Sequence, residues 1–449
     1  MEEFGLIDRR TRAPGPPESN VILMTAPKAV EDADPVLIGP EAERRSALRL
    51  VLETPLYRGA TVAMFLSGLG FSAAAPQIAS FLVNELHASL PVAGLYYLTS
   101  LTAPIAGYLV GARSDRTGRR LGLFRMCAVA GFLGWTGIAF STQLWMPFVV
   151  SAVVLGFAGA ATSQVFAALH DEITARPKAG NDGVVATVRM ALTGGWVIGP
   201  AAGSFLAAQA GPRVMLFATA LCTLAQIVPL LTMRASAPRG TSVDVRAESL
   251  PAPTAKPGFR QMTPLLMFTA LYMCVYAGES IKYAYLPIYM NDQLRLTPAL
   301  GGAIIGVQPL VELALMPLAV LVARRTGMMR LMILAAGFGV AANICFATTG
   351  TALGLFAGQI LMGGVWGVFA ALGIVVAQRL LPTAVATASA IFMSSAALSS
   401  AMGGLAGGLG VATIGLPLVF LVPALFAVIA AVGLAWMSSF SARSVTTGR

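Results

Sequence analysis

Apolar residues in this chain gather into long unbroken runs instead of alternating or recurring on one stripe. From Tyr57 onward, twelve such runs of about 20 or more residues follow one another, separated by short polar turns. They fall at 57–82, 92–112, 122–141, 145–168, 184–208, 213–233, 264–289, 298–322, 331–350, 353–377, 384–409 and 415–438. Helices of that length match the hydrocarbon thickness of a bilayer. Gly and Pro recur inside them, which membrane helices tolerate because neighbouring helices re-satisfy the freed backbone groups. The pattern predicts an all-α integral membrane protein with twelve transmembrane helices.

Composition agrees. The 449 residues are 56% hydrophobic and 11% charged, with a mean hydropathy of +0.76. A soluble domain carries about 25% charged residues, so this chain lacks the charge to wet a soluble surface. The net charge of +10 sits in short loops between apolar runs, which excludes a nucleic-acid patch and reads as orientation signals. Cys127, Cys222, Cys274 and Cys345 all lie in apolar segments without a CxxC, and His87 and His170 are far apart. No metal site, disulfide framework or cofactor is expected. Residues 1–53 are polar and carry Pro14, Pro16, Pro17, Pro27, Pro35 and Pro40, the composition of a disordered cytosolic extension and not of a signal peptide.

The loops alternate in charge. Arg113, Arg116, Arg119 and Arg120 follow the second run, Arg176 and Lys178 the fourth, and Arg234, Arg239, Arg246, Lys256 and Arg260 the sixth. Arg324, Arg325 and Arg330 follow the eighth, and Arg379 the tenth. The intervening loops hold only Arg213 and Arg295. Positive charge stays on the cytoplasmic side, so both termini are expected there. The Pro-rich stretch 234–263 separates six runs from six. The expected organisation is therefore an extension (1–53), a six-helix bundle (54–233), a cytosolic linker (234–263), a second six-helix bundle (264–440) and a tail (441–449).

Two motifs carry mechanism. Gly111-Ala-Arg-Ser-Asp-Arg-Thr-Gly-Arg-Arg120 resembles the signature loop of the major facilitator superfamily, G-x-L-A-D-R-x-G-R-R/K. Gly111, Asp115, Arg116, Gly118, Arg119 and Arg120 match, while Arg113 and Ser114 replace the usual Leu-Ala. Gly118 allows the left-handed turn of a two-helix hairpin, and the arginines hold the loop in the cytosol. The resemblance implies the major facilitator fold and a gating role in which Asp115 latches the second span against the eleventh in the outward-facing state. A basic Gly-containing turn, Ala323–Arg330, recurs at the same place in the second half. In the fifth run, Gly195, Gly199, Pro200 and Gly203 resemble the G-x-x-x-G-P-x-x-G element of exporters in this superfamily. Small residues four apart let helices approach closely, and Pro200 removes a backbone hydrogen bond, giving a hinge and a tight seam.

Charges inside apolar runs are costly and therefore candidates for function. Glu279 and Lys282 stand three apart in the seventh run, where they can pair on one face. Glu312 lies at mid-depth in the eighth without a local counter-charge, placed to carry a proton or to hydrogen-bond substrate. Arg189 lies in the inner part of the fifth, where snorkelling or pairing with Asp171 or Glu172 is the structural alternative. Gln77, Tyr96, Gln164, Tyr276, Tyr283, Gln308, Gln359 and Trp366 complete a candidate cavity in which amides read hydroxyls and aromatic faces stack on apolar sugar faces. Each of them taken singly equally suits helix packing.

Phe65–Leu82, the Asp115 loop, Val188-Arg-Met-Ala191 running into Trp196–Pro200, Leu286-Pro-Ile-Tyr289 and Glu312 together resemble the bacterial sugar efflux transporter family. That resemblance implies proton-driven export of sugars or glycosides by a monomer in the bacterial inner membrane, with Arg189 and Glu312 at family-typical positions. The long N-terminal extension departs from the family. Export of drugs or amphipathic metabolites and a non-transporting sensor are the rival functions; a membrane enzyme lacks any constellation of acids, histidines or nucleophile and base.

Overall fold

Several of the apolar runs start on residues that suit a helix end. Pro55, Pro212 and Pro298 stand in the first turn of their helices, where a missing N–H costs nothing. In the computed structural model, residues 48–176, 181–233 and 259–446 are described. Residues 1–47 of the expected extension, 234–258 of the expected linker and 447–449 of the tail lie outside them. Among the described residues, eleven helices are long and apolar enough to cross a membrane. We label the helices α1 (Pro55–Asn84), α2 (90–117), α3 (Arg120–Ala139), α4 (Trp145–Ala175), α5 (Asn181–Ala210) and α6 (Pro212–Leu230). The second six are α7 (Phe259–Gln293), α8 (Pro298–Thr326), α9 (Met328–Thr348), α10 (Ala352–Leu380), α11 (Val385–Ile414) and α12 (Leu421–Thr446).

The helix outside the eleven is α2, which corrects the expectation of an uninterrupted second span. It is helical in three pieces: Leu90–Leu95, a 3-10 stretch at Tyr96–Thr102, and Ala103–Thr117. The cause is local. Thr99, Ser100 and Thr102 donate their hydroxyls to the carbonyls of Tyr96, Tyr97 and Thr99 at 2.8, 2.7 and 2.9 Å. Such back-bonding competes with the α-helical ladder, and Pro104 lacks the N–H that would continue it. Boundaries shift elsewhere too. Residues 48–53 are helical, with Leu50 and Val51 buried; α7 starts at Phe259, before position 264, and α12 runs past 440 to Thr446.

Helix α1 packs on α5 and α6, and α3 on α4 and α6; in the second six, α10 packs on α8 and α9, and α12 on α7 and α9. The largest contacts between the halves are α5 with α8 and α2 with α11; the end of α1 and the start of α2 also meet α7. The α5–α8 and α2–α11 seams are built on glycines that allow backbones to touch. A Cβ on Gly302 would stand 2.7 Å from the Ala201 Cα, and one on Gly306 2.9 Å from the Val197 carbonyl. On the other seam, Gly404 meets the Gly94 carbonyl and Gly408 that of Pro91. Tyr285 Oη donates to the Leu90 carbonyl at 3.2 Å and Ser100 Oγ to that of Ala397 at 3.2 Å. These contacts lie toward the end opposite the basic loops.

The buried apolar residues divide in the same way. One cluster, including Tyr57, Phe124 and Leu169, belongs to the first six helices near the basic loops. The other runs through the second six and crosses to Phe81, Tyr96 and Trp135 at the opposite end. Outward, Ile105, Tyr108, Phe205, Leu409 and Val432 are exposed, an apolar belt that suits lipid and not water.

Candidate functional site

A lysine in the middle of a membrane helix needs partners for its charge and its donors. Lys282, 1% exposed, has them. Its Nζ donates to Glu279 Oε1 at 2.6 Å on its own helix, and to Gln308 Oε1 on α8. Gln308 Nε2 donates back to Glu279 Oε1 at 3.1 Å, and Trp366 Nε1 on α10 donates to Glu279 Oε2 at 2.9 Å. The ammonium also lies 4.6 Å from the centre of the Tyr283 ring, within cation–π range. Three helices thus converge on one ion pair, and four residues singled out from sequence, Glu279, Lys282, Gln308 and Trp366, form a single network.

Tyr276 stands edge-on to Trp366 at 5.1 Å, and Tyr272 lies 6.1 Å from Tyr276. They make an aromatic wall beside the network. Glu312 follows Gln308 by one helical turn on α8. It interacts electrostatically with Glu279 and Lys282 but makes no hydrogen bond to a described residue. Every oxygen of Glu279 is engaged by the network; Glu312 is the carboxyl left available. Gln359, also on α10, is fully buried, and neither amide atom has a partner among the described residues.

The Asp115 loop forms a second site at the basic end. Gly118 caps α2 with φ 62°, the left-handed conformation, and its N–H donates to the Ser114 carbonyl at 2.9 Å. Arg120 pairs with Asp115 at 2.5 Å and Asp171 at 3.0 Å. Its Nη1 also reaches Ser114 Oγ at 2.9 Å, and Ser114 in turn donates to Gln164 Oε1 at 2.5 Å. Ser114 is therefore the buried link between α2, α3 and α4, which gives its departure from the usual motif a physical reason. Gln164, expected as a cavity residue, is engaged in this link. The Asp115 side chain is 72% exposed and its ion pair stays within its own half.

Arg189 is exposed, and its expected partners are taken: Asp171 by Arg120 and Glu172 by Arg176. Gly195, Gly199 and Gly203 line the face of α5 against α1. A Cβ on Gly199 would stand 2.6 Å from the Leu69 carbonyl, and one on Gly203 2.7 Å from that of Ala73. Pro200 and Ala201 face α8 across the seam at Gly302. Gln77 donates to Ser204 Oγ on α5 at 2.9 Å and lines a cavity at the end opposite the basic loops. Tyr96 packs on Phe148, edge to face, at 5.7 Å.

The sequence profile of the Major Facilitator Superfamily matches residues 60–356. The chain belongs to that superfamily. Sugar efflux transporter A of Dickeya chrysanthemi is 28% identical over 340 residues, 74% of this chain and 83% of the relative. Sugar efflux transporter C of Escherichia coli is 26% identical over 341 residues, with the same coverage. The crystal structure of a nucleoside transporter superposes with a TM-score of 0.70 at 16% identity, covering 86% of this chain and 99% of that one. This major facilitator is a multi-pass membrane transporter, not an enzyme, and it resembles the sugar efflux transporters.

Sequence reasoning missed three parts of this major facilitator's polar framework. Arg125 donates to the carbonyls of Leu230 and Met233 at 2.8 and 2.7 Å, capping α6. Arg213 pairs with Glu85 at 3.2 Å and donates to the carbonyls of Ala139 and Ser141 at 3.0 and 2.9 Å, tying three helices together at the end opposite the basic loops. Ser204 has no charge to flag it. For the two arginines a signal existed, since each stands at a helix edge where orphan carbonyls gather.

Proposed function

We propose that this chain exports sugars or glycosides across the bacterial inner membrane, driven by inward proton movement, through alternating access of two six-helix halves. The observation that carries the proposal is the division of labour between two partly buried carboxyls. Glu279 is committed to Lys282, Gln308 and Trp366, while Glu312 beside it is uncommitted. An available carboxyl at mid-depth can hold a proton in one state and accept a substrate hydroxyl in the other. The Trp366, Tyr276 and Tyr272 wall supplies faces on which an apolar sugar face can stack.

In this reading α2 is the twelfth span, the halves are 54–233 and 264–440, and the basic loops and both termini are cytoplasmic. The seams α5–α8 and α2–α11 then close the outer side, and the molecule faces the cytoplasm. That state fits an exposed Asp115 paired with Arg120 instead of latched to α11. Substrate enters from the cytoplasm and bonds to a deprotonated Glu312; after the switch, an external proton displaces it. The relatives named as sugar efflux transporters support the substrate class and direction.

The test is counterflow in proteoliposomes with labelled sugars, followed by efflux under an imposed pH gradient. Glu312→Gln should keep counterflow and lose gradient-driven transport. Gradient-driven transport persisting in that variant would remove Glu312 as the carrier. Failure of every sugar together with transport of lipophilic cations would overturn the substrate class.

A further inference from the structure

A cavity of about 190 Å³ lies between the halves at the end opposite the basic loops, bounded by α1, α5, α7 and α8. Its polar lining is Gln77, Ser80, Asn84, Ser204, Asn291 and Thr297, and no charged residue lines it. Asn84, Asn291 and Thr297 are exposed at the mouth, while Ser204 is buried at the floor. The chemistry of that floor is specific. Gln77 spends one amide hydrogen on Ser204 Oγ, which leaves the Gln77 oxygen as an acceptor and the Ser204 hydroxyl hydrogen as a donor. A spare acceptor next to a spare donor matches a hydroxyl group, which gives one hydrogen and takes another.

The cavity also lies in line with the charged network. On α8, Gly301 and Ile305 line it, and Gln308 and Glu312 continue the same face at helical spacing. On α7, Pro287 and Met290 line it, one turn beyond Tyr283. Between the two lie the contact of Gly306 with the Val197 carbonyl and that of Trp196 with Tyr283 across the halves, with ring centres 6.4 Å apart.

We propose that this cleft is a second binding subsite, for a neutral polyhydroxylated ligand of one sugar ring, held where substrate passes after leaving the charged network. The inference rests on the sugar-export reading above. Its volume falls below the roughly 300–1,000 Å³ of drug-sized pockets, which suits a single ring and not a bulky amphipath. Each half supplies part of the lining, so the subsite is assembled only while this end is closed and comes apart when the end opens. A ligand bound there stabilises the closed end by its differential affinity for that state, so external sugar holds the transporter facing the basic-loop side.

Equilibrium dialysis of the full-length protein with radiolabelled glucose, galactose and xylose tests this. The expectation is two molecules bound per chain for at least one of the three. Asn291→Trp, which fills the mouth from an exposed position, should reduce the number to one. Gln77→Leu should weaken the same site by roughly tenfold, the loss of about one hydrogen bond. Glu279→Gln should leave that site in place. Thermal unfolding of each variant confirms that it folds. A single site that survives both cleft variants and disappears in Glu279→Gln overturns the subsite while leaving the sugar reading intact. Two sites that both survive the cleft variants also overturn it. Absence of binding by all three sugars overturns the single-ring subsite, while the sugar reading stands or falls on the counterflow assay above.

Discussion

The two halves of this transporter use polar residues in opposite ways. In the first six helices, charge sits at the ends: Arg120 with Asp115 and Asp171, Arg176 with Glu172, Arg213 with Glu85. The interior between them is a glycine seam, where α5 lies backbone to backbone on α1. In the second six, Glu279 and Lys282 stand at mid-depth, tied across α7, α8 and α10, with Glu312 beside them. A close seam leaves no room for long side chains, and a buried ion pair needs that room for its supporting amide and indole. The difference teaches that packing and chemistry are divided: one half is held by backbone contact, the other by a buried ion pair and its polar partners; in the proposed cycle the first moves as a body and the second carries the charge.

The most severe way to break this contrast is to orphan the buried charge. Lys282→Ala leaves the Glu279 carboxylate with only Gln308 and Trp366, and should destabilise the protein by about 3–5 kcal/mol. Glu279→Gln combined with Lys282→Met removes both charges and should recover most of that loss, because neither member of the pair is left without its counter-charge. Thermal unfolding in detergent reads both. If the double variant unfolds as early as the single one, the pair is held by something other than mutual neutralisation. A smaller effect is expected in the other half. Gly199→Leu forces a side chain into the Leu69 backbone and should cost about 1–3 kcal/mol as overpacking, with counterflow slowed more than substrate binding is weakened. An unchanged rate would show that the α1–α5 seam plays no part in the motion.

Much of this was legible beforehand, and the reasons differ by residue. Long apolar runs fix helices, since a bilayer leaves the backbone no other way to satisfy itself. Eleven of the expected spans accordingly overlap a helix long and apolar enough to cross a membrane, and the second overlaps the interrupted α2. Glu279 and Lys282 could be paired from spacing alone. Gln308 and Trp366 could be suspected but not joined to them, because sequence spacing does not say which helices adjoin. Gln164 illustrates the limit: an amide inside an apolar run reads the same whether it faces a cavity or a buried serine. The interruption of α2 was written in Thr99, Ser100, Thr102 and Pro104, yet the apolar residues around them masked it.

The mildest test concerns the loop where the first half keeps its charge. Asp115 is mostly exposed and meets Arg120 at 2.5 Å, and such surface pairs contribute about 0–1 kcal/mol. Asp115→Asn should therefore barely change thermal unfolding of the state described here. Its effect belongs to the alternative state, if Asp115 exchanges Arg120 for α11 when the basic-loop end closes. The variant should then populate the closed-loop state less and slow net efflux while leaving sugar affinity on the basic-loop side unaltered. Thermal stability and transport thus separate the two roles of one carboxylate. A change in unfolding larger than about 1 kcal/mol would mean that Asp115 is structural already in this state. In that case the contrast between a packing half and a chemical half would need redrawing at the loop.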